Sequence, residues 1–388
     1  MARHFIHGGL ATRGILTGCC LWFWAMWGCG FLAAAFEFKD GAFQVYPGDH
    51  LQDVINRAAR NPKFKTVRIH PGVYRPRAAG QALIYLNRTH DGVRIMGVGR
   101  PTLTAANEEI ADRTAASFPA VVNHVIYLGD GLGTNTLVEN LRLTGANHFV
   151  TNSLQDLMEP DRTIPKGRFY FGDGGAIKVY RRSAPVLRDL EIVDNYASPC
   201  AGGISIQQEG ATNEAVLVEN CVFRNNRAEV TGAALDLLWG SRARVVNCFF
   251  VGNISNTGPG EGENPFNNNG AITVFPRSRL EMERCTLVGN RNGVDDQSGQ
   301  GSYFGTIFAA NTRDGGEPGL PRFELDLPLG GVVRECVISG GSRDPHHALT
   351  KGTNVLNPEG LRFTADFVPE GNQFQRHGYR PGVPTAAP

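Results

Sequence analysis

The residues best suited to chemistry in this chain are a lysine and a set of aspartates at near-regular intervals. Lys178 and Asp236 stand at equivalent places in two copies of a short glycine-initiated segment. Ser205 takes that place in the copy between them, and Asp173 stands just ahead of the first copy. A lyase acting on a uronate needs a cation such as Ca²⁺ to neutralise the carboxylate, and a Lys or Arg base. A hydrolase needs two carboxylates roughly 5–10 Å apart. Lys178 and Asp236 on a shared face serve either scheme; the alternative is a pair of solvated surface charges. Asp295-Asp296, after Arg291, adds two adjacent carboxylates. Asp344-Pro345-His346-His347 offers His346 as a base near neutral pH or, equally, a polar turn stiffened by Pro345. Tyr180, Phe275 and Trp239 either stack on sugar rings or cover a sheet. Gln207 and Arg291 are the polar groups assigned with them to substrate binding. No nucleotide-binding loop, catalytic-serine elbow or zinc-helix motif occurs.

These residues sit in a repeat. Residues 138–143, 187–192, 218–223, 245–250, 282–287 and 333–338 are short runs of alternating apolar residues, the pattern of half-buried strands. Each has Leu or Cys near its centre: Leu141, Leu190, Cys221, Cys248, Cys285 and Cys336. Five residues later come Asn195, Asn226, Asn253, Asn290 and Gly341, with Asn147 six later in the first copy. Asn and Gly tolerate left-handed backbone, so this column reads as a turn. A second set of strands opens with glycine at 175–179, 202–206, 232–237 and 270–274, and more loosely at 305–308. The closest copies recur after 27 to 29 residues. A unit so short cannot close a core alone, so stacked coils must share one, and each column becomes a file of neighbours roughly 4.8 Å apart. Alternation then places Lys178, Ser205, Asp236 and Thr273 on the outside of the glycine-strand sheet. The cysteine column has no Cys-x-x-Cys or His-flanked metal spacing. It reads as an inward stack of thiols packing as small hydrophobes, with neighbouring rungs near enough for a strained disulfide.

Spacing also locates the insertions. The turn Asn leads to the next glycine strand in 7 residues at Asn195 and 6 at Asn226, but in 28 at Asn147, 17 at Asn253 and 15 at Asn290. The long loops therefore leave one corner. A groove between them and the outer face of the glycine-strand sheet is the candidate site; the alternative is solvated decoration. Residues 309–331 read as a further insertion, at the other corner.

Gly-Gly-Ala-Ile strands followed by Phe-x-x-Asn (Phe223 to Asn226, Phe250 to Asn253) resemble the pectin-lyase-like right-handed β-helix superfamily over roughly residues 44–380. The resemblance implies an all-β, right-handed parallel β-helix (a solenoid) as a single domain over 36–380. An N-terminal capping helix falls in 44–62, the coils in about 63–341, a closing tail in 342–380, and a disordered tail in 381–388. Asp49, with Gln52 three positions on, is placed to N-cap that helix. Leu51, Val54, Ile55, Ala58 and Ala59 make its apolar face, and Asn61-Pro62 stops it. Asp295-Asp296 is similar to the adjacent aspartates of polygalacturonase-like hydrolases, although their Asn-x-Asp, Gly-His-Gly and Arg-Ile-Lys signatures are absent. Asp344 to His347 resembles the Asp-Pro-His-Asp element of alginate C5-epimerases, with His347 in place of the last Asp. The implied activity is binding or processing of an acidic polysaccharide by lyase, epimerase or hydrolase chemistry. The alternative is a non-catalytic surface or envelope adhesin or scaffold. No cofactor is required by the sequence; Ca²⁺ enters only with a lyase.

Composition agrees with such a chain. Its 38 basic and 37 acidic residues give no excess pointing to nucleic acid or a membrane surface. Its 48 glycines suit many tight turns. Arg3 and Arg13 precede an uncharged run from Gly14 to Phe36, with a small-x-small site at Ala33 to Ala35. This reads as a signal peptide over 1–35 or an uncleaved anchor, placing the protein outside the cytoplasm. Five cysteines remain beyond it, an odd number that argues against a complete disulfide framework. Asn87-Arg88-Thr89 and Asn253-Ile254-Ser255 match the glycosylation acceptor pattern.

Overall fold

The structure, a computed structural model, describes residues 37–149, 168–257, 269–311, 322–366 and 368–382. The expected export segment and nearly all of the final tail lie outside the described residues.

Short strands build three long sheets of eleven, ten and eight strands, here A, B and C. The chain enters them in rotation: Val186–Arg188 in A, Glu191–Val193 in B, Ile204–Gln207 in C, then Val216–Glu219 back in A. Strand neighbours are one full rotation apart in sequence, and all are parallel except Phe38–Lys39 against Ala42–Val45. This arrangement is consistent with a parallel β-helix or solenoid. Strand alternation supplies the core. Ile126, Ile177, Ile204, Leu235, Ile272, Val294 and Leu325 form one buried file in sheet C. Leu143, Ile192, Phe223, Phe250, Leu287, Phe308 and Ile338 form another in sheet B, with the Phe223 and Phe250 rings stacked 4.5 Å apart. Files from all three sheets meet in one apolar cluster. Each side chain buried there is worth about 1.5–3 kcal/mol.

The corners explain the two sequence columns. Between A and B the chain bends at one left-handed residue: Asn140, Asp189, Asn220, Asn247, Arg284, Gly305 or Glu335. The next residue turns inward and its N–H loses any strand partner. Cys221 N–H donates to Cys248 Sγ at 3.4 Å, Cys248 N–H to Cys285 Sγ at 3.4 Å, and Cys285 N–H to Thr306 Oγ1 at 3.3 Å. The thiols are therefore acceptors in a hydrogen-bonded column, and all five described cysteines are free. Between B and C the asparagines make a stronger ladder. Asn195, Asn226, Asn253 and Asn290 each donate both backbone N–H and Nδ2 to the Oδ1 one coil on, ending at Asn311.

Several expectations are corrected. Ala146, not Asn147, holds the first ladder position, its N–H donating to Asn195 Oδ1. Asn147 instead donates to the Ala116 and Phe118 carbonyls. Residues 291–304 are not a loop but carry a C strand, Val294–Asp296, and an A strand, Ser302–Phe304. Gly305 is the bend that follows, and Ile307–Ala309 belongs to sheet B. A whole coil thus lies between Cys285 and Cys336, with Thr306 in their column. Residues 312–321 then connect sheet B to Leu325–Asp326 of sheet C. That is the same corner as the other long connections, rather than the opposite one.

Both ends are covered. Helix α1 (Leu51–Arg60) buries Leu51, Val54, Ile55 and Ala58, as its periodicity requires. Asp49 does not cap it. His50 precedes the helix, and Asp49 Oδ2 closes a turn on Tyr46 N–H at 2.8 Å. At the other end, Ala348 and Leu349 lie against the core. The tail runs back outside sheet B, burying Phe374 on Ile307 and Val337.

Candidate functional site

On the outer face of sheet C, Tyr85, Tyr127, Lys178, Ser205, Asp236, Thr273, Asp295 and Asp326 stand in a single file. Sheet alternation places them there, because Ile177 and Val179 on either side of Lys178 point into the core. The expectation of outward, solvated charges fails: Lys178, Ser205, Asp236 and Thr273 are all 0% exposed. From Tyr127 to Asp326 every member of the file is buried, while Tyr85 is half-buried; most of the loop wall expected beside this face, at 150–167 and 258–268, lies outside the described residues. At its start, Tyr170 of α2 (Arg168–Gly172) packs edge-on to Tyr127 and Tyr180, while Tyr85 stacks flat on Tyr127 at 4.5 Å.

Lys178 is the centre of a buried charged cluster. Its Nζ donates to Gln207 Oε1 at 2.7 Å and Ser205 Oγ at 3.2 Å, and lies 3.8 Å from Asp173 Oδ2. Burial pulls its pKa down, against the attraction of Asp173. Asp173 is fully buried and accepts Cys200 N–H at 3.0 Å. The chain doubles back between Asp173 and Lys178 at Gly174, whose φ is +80° and whose missing Cβ would sit 2.4 Å from the Ile177 carbonyl and 3.1 Å from Lys178 Cα. Only glycine fits there. His124 Nδ1 holds the Gly174 carbonyl at 2.9 Å; burial, helped by the Lys178 charge, lowers this histidine's pKa to about 3. Asp236 accepts Thr231 Oγ1–H at 2.6 Å, its other oxygen lacks a hydrogen bond, and burial raises it to about 7.

Farther along the file the charges become purely acidic. Burial raises Asp295 to about 8; Gln297 Nε2 donates to it at 3.0 Å, and the Asp326 charge pushes it further up. Asp326, one rung on, is also raised by burial, but Arg343 Nη1 lies 2.9 Å from its Oδ2 and opposes the rise. The Arg343 side chain is 47% exposed, so this end of the file lies nearest solvent. Asp296 does not join it. Its strand register pairs it with inward-facing Val274, and it accepts from Tyr303 OH at 2.9 Å and from Ser298 N–H and Oγ–H. The two adjacent aspartates thus point to opposite faces of the sheet, and Asp296 is consumed in fixing a turn.

The remaining candidates divide. Gln207 belongs to the Lys178 cluster. Tyr180 and Phe275 are buried, whereas Trp239 is 47% exposed and leans on Phe275 at 5.4 Å. The first two therefore cover the sheet, and Trp239 alone is available to stack on a ligand. Arg291 Nη1 donates to the Ser255 and Asn256 carbonyls, a corner-fixing role. His346 is exposed and contacts the Pro328 carbonyl at 3.1 Å, while Asp344 accepts Leu349 N–H at the start of α3 (Ala348–Lys351). That element is a helix-opening turn, and none of these contacts joins it to the file. Among the described residues no group of three or more His, Cys, Asp or Glu could hold a metal ion. Asp326, His124 and Thr231 were not singled out from sequence. Recognition of the 292–311 coil would have exposed Asp326, because Glu324-Leu325-Asp326 then aligns with Gly293-Val294-Asp295.

What the described residues bring together is a set of buried carboxyls whose pKa values burial raises, to about 7 for Asp236 and about 8 for Asp295. Known proteins add nothing to this geometry: no family model matches the chain, and no curated protein and no solved structure matches it significantly.

Proposed function

We propose that the chain is an exported right-handed parallel β-helix of the pectin-lyase-like kind that processes an acidic polysaccharide by hydrolysis. One observation carries this reading: neighbouring carboxyls on the outer file of sheet C, Asp295 and Asp326, share burial but differ in their charged neighbours. Burial raises Asp295 to about 8 and the Asp326 charge adds to that rise; burial raises Asp326 too, but Arg343 opposes it. Such a pair supplies a general acid and a nucleophile or base. One rung of parallel sheet separates their backbones by roughly 4.8 Å, close to the roughly 5–5.5 Å between carboxyls of retaining glycosidases. Arg343 supplies a cation for a uronate at the solvent-facing end, and Trp239 a ring face for a sugar. Lyase chemistry with Ca²⁺ is disfavoured, because Lys178 is committed to three buried partners.

The test is incubation with pectate, alginate and related glycans, reading new reducing ends against unsaturated-product absorbance. Reducing ends that vanish in Asp295→Asn support the reading, and absence of both products and binding on every glycan removes it. The full burial of Lys178, Ser205, Asp236 and Thr273 favours a second reading, a non-catalytic surface or envelope module. It predicts glycan or surface binding without turnover.

A further inference from the structure

The Lys178 cluster has a property that glycan chemistry does not use. A lysine and an aspartate, both 0% exposed, face each other with Nζ 3.8 Å from Oδ2. Burying an ion pair this deeply costs several kcal/mol per ion unless the surroundings compensate fully. The approach is not accidental: the turn at Gly174 folds residue 173 back over residue 178, and His124 and Cys200 N–H fix the two sides of that turn. Ser205 and Gln207 hold Nζ from the far side. An amine, a carboxyl and a second buried acid, Asp236, are thus enclosed away from water, where each responds to the charge of the others.

We propose that Lys178 and Asp173 become covalently joined, Nζ condensing with Cγ to give an internal isopeptide bond. The neutral amine attacks Asp173 Cγ; the Nζ–Cγ bond forms, the Cγ–Oδ2 bond breaks, and one water leaves. The departing hydroxyl takes the proton that Nζ sheds, so the balance is amine plus acid to amide plus water, with no oxidant or co-reactant; the buried Asp236 acts on both groups through its charge. Burial favours the uncharged forms of Lys178 and Asp236: it lowers the lysine and raises the acid to about 7, leaving that acid partly protonated near neutrality. The product carries no charge, which relieves the cost of the buried pair. The inference stands apart from the glycan reading and tests separately.

Trypsin and mass spectrometry of the purified full chain decide it. Trypsin cuts an unjoined chain after Arg168, Lys178 and Arg181, giving 169–178 and 179–181. The cross-linked chain resists cleavage after Lys178 and gives 169–181 as one peptide, lighter by one water. Lys178→Arg abolishes that species. Asp173→Asn still yields it, now by loss of ammonia, at the same final mass. Asp236→Asn slows or prevents it. A folded wild-type chain that is cut normally after Lys178, with both peptides at full mass, overturns the proposal, whatever the variants do.

Discussion

Two polar files run along the coils, one at the B-to-C corner and one on the outer face of sheet C, and they are opposites. In the corner ladder Asn226 and Asn253, like the asparagines on either side, are neutral carboxamides whose donors and acceptor are used. The outer file mixes Tyr85, Tyr127, Lys178, Ser205 and Thr273 with the acids Asp236, Asp295 and Asp326, and an oxygen of Asp236 and one of Asp326 have no hydrogen bond. Both are equally regular and equally hidden from water. The difference teaches that stacking rewards a group which can donate to its copy one coil on and accept from the copy before. Ionised neighbouring acids such as Asp295 and Asp326 accept and repel but have nothing to donate to each other.

The comparison can be broken most severely at the centre of the ladder. Asn253→Ala removes the acceptor for two donors of Asn226 and leaves Asn290 Oδ1 with only the backbone N–H of residue 253. With about 1–3 kcal/mol for each buried group left unsatisfied, the expected loss is about 4 kcal/mol or more, read as a lower urea midpoint. Next comes the acid file. A carboxyl harder to ionise when folded holds its proton more tightly in the native chain. Stability on this account is fullest below about 3.9, the unfolded value, and falls as pH rises through about 7 for Asp236 and about 8 for Asp295. Thermal unfolding should therefore drop in midpoint from pH 5 to pH 9. Asp295→Asn should flatten that slope and raise stability at pH 9 by about 1–3 kcal/mol while abolishing glycan turnover. A midpoint that rises over this range would contradict the burial of these acids.

Glu324 sharpens the contrast, because an acid closes the asparagine ladder. Gly341 holds the next ladder position by register but has no side chain. Glu324 reaches in instead and accepts both the N–H and the Nδ2 of Asn311. Glu324→Ala should cost about 1–3 kcal/mol and Glu324→Gln less, by denaturant titration. The thiol column should be mildest. Cys248→Ser keeps the acceptor for Cys221 N–H and should cost under about 1.5 kcal/mol, whereas Cys248→Leu overpacks the corner by about 1–3 kcal/mol.

Strand alternation and the Asn and Cys columns made most of this legible without coordinates, since a repeat writes its inward faces as periodic apolar residues. What escaped has physical causes. The coil at 292–311 is short and replaces the marker cysteine with Thr306, so its strands looked like a loop and its aspartates like loop residues. The burial of Lys178 was invisible because alternation reports which face a side chain takes, never what lies over that face. Asp296 and Asp295 looked equivalent in the chain, and only their register separates a turn-fixing group from a member of the outer file.

The backward run of the C-terminal segment has a consequence for how the molecule comes apart. Gly378 N–H bonds to Gly305, Tyr379 N–H to Thr286, and Arg380 exchanges two bonds with Asn247. Repeat arrays ordinarily fray by shedding their outermost units one at a time. Here three successive units are buckled together from outside, so this end should hold until the strap lifts and then release several of them at once.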